Sequence, residues 1–333
     1  MNQFYMRKKL AYLFILMIAA CLVSPIYLMA GKEYEDKSEK SFEVQPGGNL
    51  ILKADFGSVD IDSWNQNEVR VTVIKKARRY SEDEAKELFE QYLVSYKKLS
   101  NGVEINGEFP DYVRHQRLQV HFEIQVPKEF NLDVQTAGGS ISVNDLKGDI
   151  DLHTSGGSIK LGNMAGNVDA RTSGGSITLE DADGEVSLKT SGGSITIGET
   201  TGQVYAKTSG GSITVDGSGG DVSAHTSGGS LRLKNIRGNM DASTSGGSIR
   251  AEFVEQIDKD CQLKTSGGGI TVYLNPDISL DLDASTSGGR VYCDLPITVQ
   301  TSMNKNKLRG KINGGGPLLG LRTSGGNIKV NKL

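Results

Sequence analysis

His153, Arg171, Lys189, Lys207, His225, Ser243 and Lys264 all occupy one position of a recurring phrase, immediately before a threonine. Stacked side by side they would form a mostly basic ladder. Such a ladder suits an acidic glycan, a teichoic-type polymer or another polyanion. Asp149, Glu185, Asp221 and Asp260 lie along the same strands and can offset that charge, leaving a solvated face. The chain's net charge is −3, so bulk charge implies no polyanion and no nucleic-acid partner is expected. The candidate polyanion ladder is therefore His153, Arg171, Lys189, Lys207, His225 and Lys264, with a solubilising surface as its ordinary alternative.

Other chemistries find less support. Ser176 with Thr178, Ser194 with Thr196 and Ser212 with Thr214 make a flat hydroxyl patch of a kind that can meet ice or sugars, but Lys160, Arg232 and Arg250 interrupt it. Hydroxyls bonding along a sheet explain it more simply. Ser-Gly-Gly-Ser is not the nucleophile elbow of a hydrolase and lacks its strand-to-helix setting. The histidines, His115, His121, His153 and His225, have no metal-ligand spacing. Asp181 with Asp183 could suggest calcium, but the nonapeptide of calcium-binding repeats is absent. Cys261 and Cys293 fall at inward strand positions and read as buried, unpaired small hydrophobes. No catalytic residue, metal site or cofactor is assigned, and the chain reads as a non-enzyme.

These side chains are positioned by a repeat. The phrase is TAGGSI at Thr136, then TSGGSI at Thr154, Thr172, Thr190 and Thr208, TSGGSL at Thr226 and TSGGSI at Thr244, each 18 residues after the last. Looser copies start at Thr265, Thr286 and Thr323. One copy, Gly166 to Asp183, alternates Val168 and Ala170 with polar residues, then Ile177 and Leu179 with polar residues. Period-two alternation gives two short strands, each with one apolar face. Neither can bury that face alone, and stacking supplies both core and hydrogen bonds. The paired glycines Gly156 and Gly157, Gly174 and Gly175, Gly192 and Gly193, Gly210 and Gly211, Gly228 and Gly229, and Gly246 and Gly247 mark tight bends, for which positive φ is expected. A unit this short has no room for a crossover helix. The expected fold is all-β: a single elongated parallel β-solenoid with coils of about 18 residues, roughly 50 Å long at ~4.8 Å per coil. Leu146, Met164, Ala182, Thr200, Ser218 and Ile236 form a mixed column suited to a short third side.

Residues 1–30 read as a signal peptide: Arg7 to Lys9, an apolar run from Leu10 to Val23, and a small residue at Ala30. Lipidation at Cys21, or an uncleaved anchor, are the alternatives, and these are the expected routes to a membrane. Residues 31–40 read as a charged linker and 41–130 as an irregular β-rich cap region. Within it Gly48 to Ile61 looks like a degenerate opening coil. Apolar residues from Ala85 to Tyr96 recur at helical spacing, predicting an amphipathic helix over 81–98 with a Ser81/Glu84 capping box. Residues 131–333 are the solenoid. Gly314 to Gly316 read as a substitute bend.

The repeated TSGGSI beside G-x-V-x-A strands, after a leader and a β-rich region ending in VPKEF-x-L from Val126 to Leu132, resembles the bacterial "putative adhesin" family of β-strand-repeat domains. The resemblance runs from about Phe42 to Val330 and implies an exported β-solenoid with an adhesive role. It supplies no catalytic residues. The expected function is a non-enzymatic extracytoplasmic scaffold or adhesin presenting side-chain ladders to a surface, matrix or protein partner. The alternatives are an acidic-glycan or polyanion binder and, further off, a polysaccharide-active enzyme. The expected location is the periplasm, cell surface or medium, and a glycan partner fits.

Overall fold

The computed structural model describes residues 32–110, 118–299 and 304–333. The leader, Cys21 and His115 lie outside them. A typical coil runs up Val168–Thr172, bends at 173–175, returns along Ile177–Asp183 and turns at Gly184. Val168, Ala170, Ile177 and Leu179 are buried, and the residues between them face out. Each strand pairs in parallel with its successor, Val168 opposite Val186 and Ile177 opposite Ile195. Among the described residues, the coils and the strands flanking them build two facing sheets of 15 strands each. Burying one large aliphatic side chain contributes roughly 1.5–3 kcal/mol. Ordering each residue costs about 1–2 kcal/mol. One coil has too few core residues to stand alone. The expected third-side column is buried in register, Met164 opposite Ala182 and Thr200 opposite Ser218, and closes the core at the corner away from the glycine bends.

The Thr-Ser-Gly-Gly-Ser phrase is explained by contacts between coils. Buried Thr172 donates from Oγ1 to the Gly157 carbonyl at 2.7 Å, and Thr190 does the same to Gly175 at 2.7 Å. Ser158 Oγ accepts the Ser176 N–H, and Ser176 Oγ accepts the Ser194 N–H, both at 3.2 Å. The positive φ expected of a tight reversal occurs at the single-glycine corner, Gly148 and Gly166 at 149° and Gly184 at 156°, but not at the glycine pairs. Their requirement is proximity instead. A Cβ on Gly175 would sit 2.1 Å from the Gly157 oxygen, whereas one on Gly174 would sit 3.2 Å from Gly156.

Both ends depart from a sequential stack. Gly48–Ala54 and Ser58–Trp64 form a true coil, so the array reaches well back into the expected cap region. This coil lies between Phe130–Thr136 on one side and Gly102–Glu108 on the other, and the later coil made by Gly102–Glu108 and Leu118–Pro127 is the outer one. The far end mirrors this. Leu318–Thr323 and Ile328–Lys332 insert between Cys261–Thr265 with Ile270–Leu274 and the earlier Leu280–Thr286 with Val291–Cys293. Gly314 and Gly315, at φ 89° and 91°, belong to the loop that carries the chain across Leu280–Thr286, not to a bend between sheets.

Antiparallel strands cover these outer coils. The expected linker is the edge strand Glu33–Glu43, paired along its length with Glu68–Arg78. Its charges find partners there, Glu33 with Arg78 at 3.0 Å and Glu35 with Lys76 at 3.1 Å, and a charged edge also discourages further pairing. The helix is shorter than expected, Glu82–Gln91. Its capping box forms as read, Ser81 N–H to Glu84 at 2.7 Å. It stops because Lys75 Nζ takes the Phe89 and Tyr92 carbonyls at 2.6 and 2.9 Å, while Leu93–Leu99 pairs antiparallel with Gly102–Glu108. Ser100 and Asn101 turn that hairpin. At the other end Lys307–Ile312 lies antiparallel to Leu280–Thr286.

Gly175→Ala should lower stability by about 2 kcal/mol, the scale of overpacking, with a clearly smaller loss for Gly174→Ala. Urea unfolding of the two variants checks this. Equal losses would contradict the proximity account.

Candidate functional site

The outer face of the sheet containing Val168–Thr172 carries three columns, because positions two apart along a strand share a face. The first holds Asn131, Asp149, Asn167, Glu185, Gln203, Asp221 and Asn239. Many of its members cap the next coil, as when Asp149 accepts the Asn167 N–H at 3.2 Å and Asp221 accepts the Asn239 N–H at 2.9 Å. The second column holds Asp133, Asp151, Asp169, Ser187, Tyr205, Ser223 and Asp241 in continuous register. Between these two columns runs an open groove of about 1030 Å³, spanning coils from Asn49 to Asp260. Its walls are rich in carboxylates, with Lys259 as a cation in its lining.

The third column is the basic ladder. The structure brings His153, Arg171, Lys189, Lys207, His225, Ser243 and Lys264 into one row, each directly opposite the next. Two further cations join it that the linear repeat does not reveal. Lys53 stands beside Gln135, and Arg322 beside Lys264, because the end coils are transposed. Several members are occupied. Arg171 makes a two-pronged bond to Asp169 at 2.9 and 2.7 Å, and Arg322 pairs with Asp283 at 2.6 Å. Lys189 lies over the Tyr205 ring at 5.0 Å, and His225 bonds Ser223 and Ser243. The carboxylates read as offsetting the ladder are mostly engaged elsewhere. Asp221 binds Lys259 at 3.2 Å and Asp260 accepts the Leu318 N–H at 2.9 Å. The offset comes from the second column, whose Asp133, Asp151 and Asp169 recur at the same 18-residue interval.

Stacking like charges has a cost. Burial, and then the neighbouring Asp169 and Asp133, push the Asp151 carboxyl above the ordinary aspartate range. At Asp283 burial also disfavours the charge, but the hydrogen bonds of Arg309 and Arg322 outweigh it and hold the carboxyl below that range.

The other candidates resolve into structure. The serines of the hydroxyl patch accept N–H groups from the next coil. Asp181 accepts the Glu199 N–H and Asp183 the Thr201 hydroxyl, and no metal-holding cluster occurs among the described residues. Cys261 is buried and Cys293 half-buried, both are free thiols, and burial pushes Cys261 up to about 11. One constellation was not legible. Ser58 meets His121 at 2.7 Å, with Asp60 and Glu123 at 3.4 and 3.6 Å from the ring, because two coils far apart in sequence pair directly. It lies on a sheet face where the adjacent Val59 N–H is already given to Ser140, so that amide is not free to stabilise an oxyanion.

These features define an extended two-sheet parallel β-solenoid that displays columns of side chains. The family model described as Toastrack DUF4097 matches residues 49–331, and the chain belongs to that family. The resemblance carried by TSGGSI is borne out. Among solved structures the chain is similar to a "putative adhesin" from Bacteroides fragilis NCTC 9343, at 14% identity and TM-score 0.33 over 89% of this chain and 97% of that one. It is also similar to a "putative lipid binding protein" from Parabacteroides distasonis ATCC 8503, at 11% identity and TM-score 0.37 over 90% and 97%. At such TM-scores neither likeness bears on what this chain binds. No protein of curated function matches it.

A carboxyl raised by folding contributes stability that is fully present below its ordinary range and is lost as the pH rises through the raised value. Asp151→Asn should therefore melt higher than the parent at neutral pH, with the gain shrinking as the pH falls into the aspartate range. Melting curves across that interval check it, and a lower melting point at neutral pH would contradict the assignment.

Proposed function

We propose that this chain is a non-enzymatic extracytoplasmic scaffold or adhesin that engages a surface, matrix or protein partner through its grooved face. The observation that carries the reading is the groove itself, open along its length and lined by the same positions coil after coil. An open repeating surface favours many weak contacts that add up, rather than one enclosed reaction chamber. The segment from Arg7 to Ala30, read as a signal peptide, supports a location outside the cytoplasm. The alternative, an acidic glycan held by the ladder, draws on Lys207 and Lys264, which form no ion pair among the described residues. The aspartate column beside them works against a polyanion.

Binding of the labelled protein to intact cells of its own host tests this. Asp133→Asn, Asp151→Asn, Asp169→Asn and Asp241→Asn, added stepwise, should weaken binding cumulatively, while Lys189→Glu with Lys207→Glu leaves most of it. Loss on changing the lysines would favour the acidic-glycan alternative. Absence of saturable binding by the parent would sink the adhesin reading.

A further inference from the structure

Among the described residues, the large hydrophobic side chains that stand exposed lie toward the two ends of the rod. Leu93 is 49% exposed on the N-terminal edge strand, and Tyr292, Val299, Leu318 and Leu333 are 44%, 42%, 39% and 51% exposed in the last coils. Along the flanks of the array, the described large hydrophobics are covered. The ends also carry unequal charge. Residues 32–110 carry 16 Asp and Glu against 12 Lys and Arg, with ten of those carboxylates on Glu33–Glu43 and the helix Glu82–Gln91. At the opposite end residues 277–299 and 304–333 carry eight Lys and Arg against four Asp, of which Asp283 is taken by Arg309 and Arg322. Among the described residues, finally, Leu93–Leu99 at one end and Val291–Cys293 and Thr298–Val299 at the other leave strand edges without a further strand.

We propose that the basic C-terminal end of one copy docks on the acidic N-terminal end of a second copy, so that the rods join head to tail. Two C-terminal ends would bring cations together, and two N-terminal ends carboxylates, so charge selects the heterologous contact over a symmetric pair. The exposed apolar residues supply area to cover, and the open edges supply donors and acceptors. A heterologous contact between opposite ends of a rod does not close on itself, so it extends into a filament. Each added copy would continue the grooved face. This inference concerns the ends and stands whether or not the groove binds a host surface.

Sedimentation velocity of the full-length protein, as processed by its host, reads the outcome. At low salt the average mass should rise with concentration beyond a dimer, and high salt should return the protein to monomer. Lys307→Glu with Lys311→Glu should remain monomeric, and so should Glu87→Lys with Glu90→Lys. All four positions are exposed or half-exposed, so circular dichroism should stay unchanged. Mixing the two variants should restore assembly, because each then offers the end that the other accepts. A parent that is monomeric throughout, a species that stops at a dimer, or a mixture that stays dissociated would each overturn the proposal.

Discussion

Backbone meets backbone at every glycine bend, with the Gly157 oxygen lying where a Cβ of Gly175 would have to go. That closeness fixes the spacing of the rest. Because one bend nests inside the next, each coil must copy the contour of its neighbour, and an insertion within a coil would lift the whole stack locally. The threonine beneath each bend seals the fit by taking the carbonyl left facing the core, as Thr190 does for Gly175. Straight columns are the outward result. Side chains on the surface are aligned because the corners allow no drift.

The regular coils were legible because their determinants are local and repeated. Alternation around Val168 and Ile177 gave strands and facing. The fixed interval gave parallel stacking, since no crossover element fits within it. The glycine bends were legible in place but not in cause. Sequence identifies a residue without a side chain, and whether that absence serves a torsion or a close neighbour depends on the adjoining coil. The ends were less legible for a related reason. Residues 33–43 look like a solvated charged segment until Arg78 and Lys76 are seen across from them. Leu93 and Tyr96 fit a helical period as well as a strand, and the open edge of Gly102–Glu108 decides for the strand.

The candidate site shows the same division. The ladder's members could be read from one recurring position, and the register unites them. Its electrostatic character depends on the neighbouring column and on transposed coils, which place Arg322 beside Lys264 although the two are far apart in sequence. A row that seems basic in isolation is the rim of a carboxylate-lined groove. Arg171 turned toward Asp169 is the clearest instance.

The exchanged order of the last coils has a consequence for how the molecule is completed. During synthesis, Leu280–Thr286 emerges before Leu318–Thr323, yet it has to wait for that later strand to lie beneath it. A chain cut short in its final segment leaves Cys261–Thr265 facing a gap one strand wide, with nothing upstream built to fill it. The rod is latched by a piece made later than the coil that it supports. Tension on that terminus would have to slide an interior rung out between two neighbours rather than peel away an outer one.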